Sequence, residues 1–469
     1  MFRILMFSFL FTTMTQAQTS FKLKVVDQFS MPVAHALTMI GIEKDIPFKD
    51  NLVATDAAGE LVFPADWKSL EPVTIDAPGY IRQTLLNQNP NANLTVHLSR
   101  KALNPQIFVS GIITNLPVVN KDKLIDFSVV LTTFNQDDFV HINQNQFISP
   151  YADNLTLLGK TAPVFSNVSL PEQKENYIIP LTISKPTYTK FFAYPGNKKL
   201  ISMSGQFPFK PVADDLKAGK SFFDVINYFE ILGLGNLNLT ITQNTPNANF
   251  SGMTVKLDDI STIKAPAINS EEQVLMLPMN AVANYFLPSG IKKLNSQESA
   301  QFNTIDHLQV SILAMVKKTP EFSSRNGQTR LSALFVKSSD PTAGLYLPLM
   351  NDPTMLSLYP VSVSTNTLNS PNGLYPTGTM ATLSEINDTI YNQQVVSVIQ
   401  PQWEIYSMYW EHQISLPKWP LDLTTSPKAS VKIFETTYFA QGKAPVTTDV
   451  KSMLDQATHL TKSAVHLQY

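Results

Sequence analysis

The chain has 469 residues, with 35 Lys and Arg against 37 Asp and Glu and a formal net charge of −2. Such a balance, with no basic run, lacks the electrostatic footprint of a protein that binds nucleic acid or an acidic membrane surface. The complete absence of cysteine excludes disulfides, thiolate metal sites and cysteine nucleophiles together, so the fold rests on apolar burial, with room for roughly two to four domains.

The chain opens MFRILMFSFLFTTMTQAQ. Arg3 gives a basic start, Ile4 to Met14 an apolar run, and Thr15-Gln16-Ala17 a small-x-small cleavage pattern, which together predict a signal peptide over 1–17. No later window holds the roughly 18 consecutive apolar residues of a membrane-crossing helix, so no transmembrane segment is expected.

From residue 20 to 100 the pattern is a small β-sandwich. Phe21 to Val25 alternates apolar and basic residues, as a half-buried strand does. Pro32-Val33-Ala34 leads into a strand ending near Ile42. Thr55-Asp56-Ala57-Ala58-Gly59 has tight-turn chemistry, and the apolar pieces Leu52-Val53-Ala54 and Leu61-Val62-Phe63 around it read as a hairpin. Val73-Thr74-Ile75, a Pro78-Gly79 turn, Tyr80-Ile81 with Leu85-Leu86, and Leu94 to Leu98 complete the unit.

Three motifs in this stretch carry a resemblance. Val25, Asp27, Pro32, Val33 and Ala36 form the first; Thr55, Asp56 and Gly59 the second; Asp76, Ala77, Gly79 and Tyr80 the third. Together they resemble the carboxypeptidase regulatory-like domain, a transthyretin-like sandwich, over residues 20–100 alone. The resemblance implies a fold and an accessory role in exported proteins, with sugar or protein contacts in some members and no catalytic residue. The sequence departs from that pattern at Phe29-Ser30-Met31, where a glycine is usual.

Beyond a boundary at Ala102 to Pro105, a second β-rich domain is expected over 105–264. Phe108 to Ile113 and Phe127 to Thr133 have strand character, and Phe139 to Asn176 reads as polar and turn-rich. Tyr177 to Ile183 is a strand containing Pro180, which places it at an edge or bulge. Phe191 to Tyr194 and Lys199 to Gln206 suggest a hairpin across Pro195 to Lys198. Ser221 with Asp224 resembles a capping box, and Gly233 a stop, so a helix is expected over Ser221 to Leu232. Leu237 to Thr242 alternates as a strand.

A third β-rich domain is expected over 265–469. Leu308 to Val316 falls to strand on its β-branched content. Arg330 to Val336, Gly344 to Leu349, Thr354 to Ser364, Val395 to Ile399, Trp403 to Leu416 and Val431 to Phe439 follow. Asp449 to Ala457 has helical spacing behind Thr448, and Leu460 to Leu467 reads as a closing strand.

The densest chemistry lies in Gln402 to His412, with Trp419 close behind: counting Trp419, three of the four tryptophans fall there. Aromatic faces stack on sugar rings and carboxylates bond hydroxyls, so Trp403, Glu404, Tyr406 and Trp410 are the candidate ligand-binding residues. Strand alternation would put Glu404, Tyr406, Trp410 and His412 on one face, with Trp403, Tyr409 and Glu411 opposite. The competing reading is an aromatic-rich core strand. The seven histidines show no metal-ligand spacing, and no Walker loop, nucleophile elbow or dinucleotide fingerprint occurs. No catalytic residue, metal or cofactor is therefore assigned.

The expected protein is mainly β and multi-domain: a small transthyretin-like β-sandwich, then further antiparallel β-sandwich modules with one or two short helices. The expected function is that of an exported, non-enzymatic periplasmic or cell-surface protein that binds a protein or glycan. The alternative is a carbohydrate-active enzyme whose carboxylates come from separate strands.

Overall fold

In the computed structural model, Thr55 and Asp56 organise the first unit. The Thr55 hydroxyl donates to the Val33 carbonyl at 2.8 Å and accepts from the Ala36 N–H at 2.9 Å. The Asp56 carboxylate accepts from the N–H groups of Ala58 and Glu60 at 2.9 and 2.8 Å. Gly59 closes the turn at φ +72°, where an added Cβ would overlap the Val25 carbonyl oxygen, so only glycine fits. The structure describes residues 22–467 except 43–51, 64–66, 91–92, 102–106, 117–122, 135–137, 140–146, 148, 158–159, 177–179, 193, 221, 283–284, 319–329, 337–344, 359, 366–367, 392, 423–431 and 445–449. The expected signal peptide, Ser221 and Thr448 lie outside the described residues.

The first unit holds β1 (Lys22–Asp27), β2 (Leu37–Ile40), β3 (Val53–Ala54), β4 (Glu60–Val62), β5 (Glu71–Asp76), β6 (Arg82–Gln88) and β7 (Leu94–Leu98). The middle region holds β8 (Ile107–Thr114), β9 (Leu124–Thr132), β10 (Ala152–Leu157), β11 (Lys160–Phe165), β12 (Val168–Asn176), β13 (Pro180–Lys185), β14 (Thr187–Phe192) and β15 (Gly196–Pro208). It continues through helices α1 (Phe209–Lys217) and α2 (Phe222–Val225) to β16 (Glu230–Ile241), β17 (Phe250–Ser251) and β18 (Val255–Lys256). Next come β19 (Asp259–Lys264), β20 (Glu272–Val282), β21 (Tyr285–Pro288), β22 (Lys292–Leu294), β23 (Ser299–Thr304), β24 (Val310–Lys318), β25 (Leu331–Val336), β26 (Thr354–Leu358) and β27 (Val361–Ser364). The chain ends with β28 (Tyr375–Tyr391), β29 (Gln394–Ser407), β30 (Gln413–Ser415), β31 (Lys432–Gln441), α3 (Val450–Gln456) and β32 (His459–Leu467).

The expected mainly-β architecture, with several sheets and few short helices, is what the chain forms. A 13-stranded sheet runs β21-β20-β24-β25-β32-β31-β28-β29-β6-β5-β2-β3, with β22 beside β20. It joins strands from the start and the end of the chain through one parallel pairing, Trp403 to Tyr406 of β29 against Arg82 to Leu85 of β6. A six-stranded sheet, β13-β12-β9-β15-β16-β18, forms the middle region. As Pro180 implies, β13 is an edge strand, with a register shift beside it between Leu170 and Gln173.

Residues opposite each other in a ladder share a face. One face of the large sheet carries Leu85, Tyr406, Met380, Leu460, Ala333 and Leu313, part of the main core that reaches into the middle region. The other face carries Trp403, Ile405, Leu383 and Phe434 at one end and Ile312, Ala314, Met276 and Leu334 at the other. Between those apolar ends the second face is hydroxylated. Ser332 donates to the Leu347 carbonyl, Thr461 to the Pro348 carbonyl at 2.8 Å, and Thr379 to the Tyr409 carbonyl at 2.6 Å. The covering layer there is irregular chain, whose carbonyls have no ladder of their own and take donors from the strands below.

Several local expectations change. The pieces around Asp56 are not a hairpin: β3 pairs with β2 and β4 with β1, so the turn passes from one sheet to another. Likewise β14 pairs with β8, whereas β15 pairs with β9 and β16. Tight-turn chemistry is the same whether the flanking strands pair or part. The helix expected over Ser221 to Leu232 stops at Val225, tightens into a 3-10 turn at Ile226–Tyr228, and gives way to β16. Ladder pairing of Glu230 and Ile231 with Gln206 and Gly205 overrides local helix preference. A longer helix, α1, lies upstream; its Pro211 sits in the first turn, where a missing N–H costs nothing. The stretch Phe139 to Asn176, expected to be polar and turn-rich, holds β10, β11 and β12. The strand expected over Trp403 to Leu416 ends at Ser407.

Candidate functional site

The early end of β29 at Ser407 separates the four candidate residues. Trp403 is 6% exposed and faces the cluster of Met39, Leu383, Phe434 and Trp419. Its indole N–H donates to the Thr84 hydroxyl at 2.8 Å. Glu404 and Tyr406 lie together on the opposite face, 8% and 5% exposed, with the Tyr406 hydroxyl donating to the Glu404 carboxyl at 3.0 Å. Trp410 is on the bend after the strand, stacked on Tyr438 at 5.0 Å, its N–H on the Phe439 carbonyl at 2.8 Å. Three environments result, and no shared open platform. Of the expected face partners only Glu404 and Tyr406 meet, because alternation ends with the strand.

Glu404 is chemically distinctive. Burial pushes its carboxyl up to about 6, against the hydrogen bond from Tyr406, which favours the charged form. Burial, and then the neighbouring carboxyl, push the Tyr406 hydroxyl well above its ordinary value. Ladder pairing sets Gln83, Glu404, Thr382 and Glu435 in one cross-strand row.

Sequence reasoning missed Arg82, the centre of the second face. Its guanidinium lies 4.5 Å from the Trp403 ring centroid and 4.9 Å from that of Trp419. It bonds Asp422 through both terminal nitrogens at 2.8 Å and Asp76 at 3.1 Å. Two rings and two carboxylates thus hold one cation between residues 340 positions apart; no local pattern marks Arg82 for that role.

Lys185 is buried, and its ammonium donates to the carbonyls of Ser166, Val168 and Thr187 at 3.2, 2.6 and 2.9 Å and pairs with Asp153 at 2.9 Å. Burial draws its pKa down against the pull of Asp153. An ammonium with four acceptors has no free pair for base catalysis, so Lys185 ties β10, β12 and β13 together. Lys190, inward between Tyr188 and Phe192, is lowered to about 8 by burial. His459 donates from Nε2 to the Leu345 carbonyl at 3.0 Å and accepts at Nδ1 from the Thr458 hydroxyl at 2.7 Å; burial lowers it to about 4.

Asp259, Asp306 and His307 place three ligand atoms within 4.8 Å of one another and could hold a metal ion. Asp259 bonds the His307 ring, which holds its carboxyl at about 2 and raises the imidazole. Asp306 caps the 3-10 turn at His307–Gln309 by accepting from the Leu308 N–H at 2.8 Å. Both carboxylates thus already serve the turn.

No known family matches the chain, and no curated protein does. Among solved structures it is similar at 8% identity to a variant of the major pilin subunit of Bacillus cereus, over 75% of this chain and 93% of that one, with a TM-score of 0.15. The major pilin subunit itself gives 10% identity, 68% and 94% coverage and a TM-score of 0.16. A streptococcal ancillary pilin gives 7%, 69%, 97% and 0.15. Scores this low establish no shared fold.

The most open feature is a ribbon formed by the outer parts of β28 and β29. Neighbouring strands leave it: β31 pairs with β28 only as far as Glu385, and β6 meets β29 only from Trp403. On one face Ile386 lies opposite Ile399, Asp388 opposite Ser397, and Ile390 opposite Val395. Ile390 is 78% exposed, Val395 70% and Ile399 45%. The other face is seated: the Tyr391 ring meets Tyr151 and Phe191 edge-on, each at 5.2 Å, and its hydroxyl donates to Asp153 at 2.9 Å. In the sequence, the β-branched run Val395 to Ile399 marked the second strand of this ribbon; the first strand carries no such run. No helix among the described residues is long and apolar enough to cross a membrane.

Proposed function

We propose that this chain is an exported, non-enzymatic periplasmic or cell-surface protein that binds an extended segment of another protein along the β28–β29 ribbon. The observation that carries the proposal is the exposed apolar face of Ile390, Val395 and Ile399, with the half-buried Ile386 beside them, on a ribbon whose outer edges pair with no other described strand. An open edge offers backbone donors and acceptors in register, and alternate side chains give specificity; this is strand addition. Edges left solvent-exposed are commonly guarded by lysine or proline. Residues 386–400 contain neither, which favours an edge meant to be covered. The expected signal peptide supports export. The first unit, resembling a carboxypeptidase regulatory-like domain, would serve as an accessory module, with the middle and last regions as separate β-rich modules. A glycan is the weaker partner, because the Trp403 and Tyr406 rings lie inside the molecule.

The test uses phage-displayed random 12-residue peptides against the immobilised full chain. Peptides with alternating apolar residues should be enriched, and they should bind Ile390→Lys/Val395→Lys at least tenfold more weakly while the variant keeps its circular dichroism spectrum. No enrichment, or equal binding to both chains, removes the proposal.

A further inference from the structure

The joint between the first unit and the large sheet is unusual in its polar accounting. Eight buried side-chain polar atoms make no hydrogen bond to any described residue, and four belong to this joint: Thr38 Oγ1, Arg82 Nε, Gln83 Oε1 and Trp419 Nε1. Gln83 is 5% exposed and lies directly across the ladder from Glu404, and Thr38 lies two strands further along the same row. Unpaired buried polar atoms are rare and costly, so their concentration at one seam marks it as the least settled in the molecule. The sheet pairing across the seam is short, four residues a side. Beside apolar contacts such as Met39 with Trp403, the seam carries polar ties: Arg82 to Asp422, Asn87 to Glu411 at 2.8 Å, Trp403 to Thr84, and the Lys418 N–H to the Ile42 carbonyl at 2.7 Å.

We infer that this seam is gated by a proton on Glu404: with the carboxyl neutral the first unit is docked on β29, and with it ionised the docking loosens. A neutral carboxyl carries a donor opposite the unpaired Gln83 carbonyl oxygen; a carboxylate adds a second acceptor there. Few other charges face Glu404. Its own strand contributes Tyr406, and β28 contributes the uncharged Thr382. Two strands away on β31 is Glu435, already paired with Lys462 of β32 at 3.3 Å. The opposing layer of the first unit presents Asp27, bonded by Arg100 at 3.0 Å and by two backbone N–H groups. Helix α3, with Asp455, packs into the same core through Met453. Arg82 lies on the opposite face with Trp403. Burial sets the titration near neutrality, at about 6, and the sign follows: a carboxyl raised in the folded state favours docking at low pH and loses that contribution as pH rises through about 6.

Hydrogen exchange of the full chain, corrected for intrinsic rates and followed at about pH 5 and about pH 7.5, tests the inference. Protection of Arg82 to Leu85 and Trp403 to Tyr406, relative to Val310–Lys318 of β24, should fall about tenfold or more at the higher pH. Glu404→Gln should hold the seam protected at both values. Because the chain has no cysteine, a Thr84→Cys/Ile405→Cys pair offers a second arm: once oxidised it should abolish the pH effect, and reduction should restore it. Equal relative protection at both pH values in the wild type, or an undiminished pH effect in Glu404→Gln or in the oxidised pair, overturns it.

Discussion

Two seams hold the large sheet to the rest of the molecule, and they are built from opposite materials. The middle region meets it through phenylalanines: Phe139 stacks on Phe335 at 4.1 Å, and Phe286 meets the two rings edge-on at 5.2 and 5.1 Å. The Phe286 N–H adds one backbone bond to the Phe134 carbonyl at 2.8 Å. The first unit also packs apolar side chains on the sheet, Met39 and Leu86 beside Trp403, but adds a caged guanidinium, a buried carboxyl and several unpaired polar atoms. Ring stacking does not titrate and responds little to salt. A seam of ions and unpaired groups responds to both. The phenylalanine contacts are thus insensitive to mild changes of pH and salt, while those of Arg82 and Glu404 are conditional.

The sharpest way to break that contrast is to damage each seam and ask where the molecule loosens. Phe139→Ala removes a ring that packs with three others, those of Phe134, Phe286 and Phe335, and should cost about 3–5 kcal/mol of stability in urea unfolding. The loss should spread to the middle region and the large sheet together, and a loss confined to either one would contradict a shared core. Arg82→Ala should cost less, about 2 kcal/mol, from the lost charged hydrogen bonds and cation–π contacts. Its effect should appear as faster hydrogen exchange at Trp403 to Tyr406, with β20 and β24 unchanged. Equal acceleration in β24 would mean that the two seams are one cooperative unit.

The smallest expected effect lies inside the first unit. Ser30 stands at φ +64°, in a turn pinned by the Asp27 carboxylate through the Phe29 and Met31 N–H groups at 2.9 and 3.0 Å. Burial opposes the charge on Asp27, but those bonds and Arg100 outweigh it and hold the carboxyl below its usual range. Ser30→Gly should relieve the left-handed backbone and stabilise the unit by about 0.5 kcal/mol, net of the entropy of glycine. Thermal unfolding of the full chain, followed by exchange at Val25 and Val33, reads the change; no gain there would mean that the turn bears no strain.

What was legible in the sequence followed from periods and turns. Alternation marked Leu94–Leu98, β-branched content marked the run that became β24, and helical spacing marked α3, because those signals are local. The turn at Asp56 was legible as a turn, but not as a passage between sheets, since both use the same residues. The departure at Phe29-Ser30-Met31 was visible as a missing glycine; the structure puts the left-handed residue there, at Ser30. The candidate site was less legible. Trp403, Glu404 and Trp410 looked like one cluster because they are neighbours in sequence, yet a pleat and a bend send them to three places. Arg82 was invisible for the converse reason: its partners Trp403, Trp419 and Asp422 lie more than 300 residues away. Helix α1 was hidden by Pro211, which reads as a breaker until its place in the first turn is known.

The hydroxylated face of the large sheet has a consequence for how this chain tolerates change. Ser332, Thr379 and Thr461 hold main-chain oxygens, so the segments they clasp are gripped by what every residue type possesses. The exposed Pro348 and Tyr409 could be rewritten while the fastening stayed intact. Replacing one of the three hydroxyls by its near-isostere, Thr461→Val for example, would release a strap whose own letters had not changed.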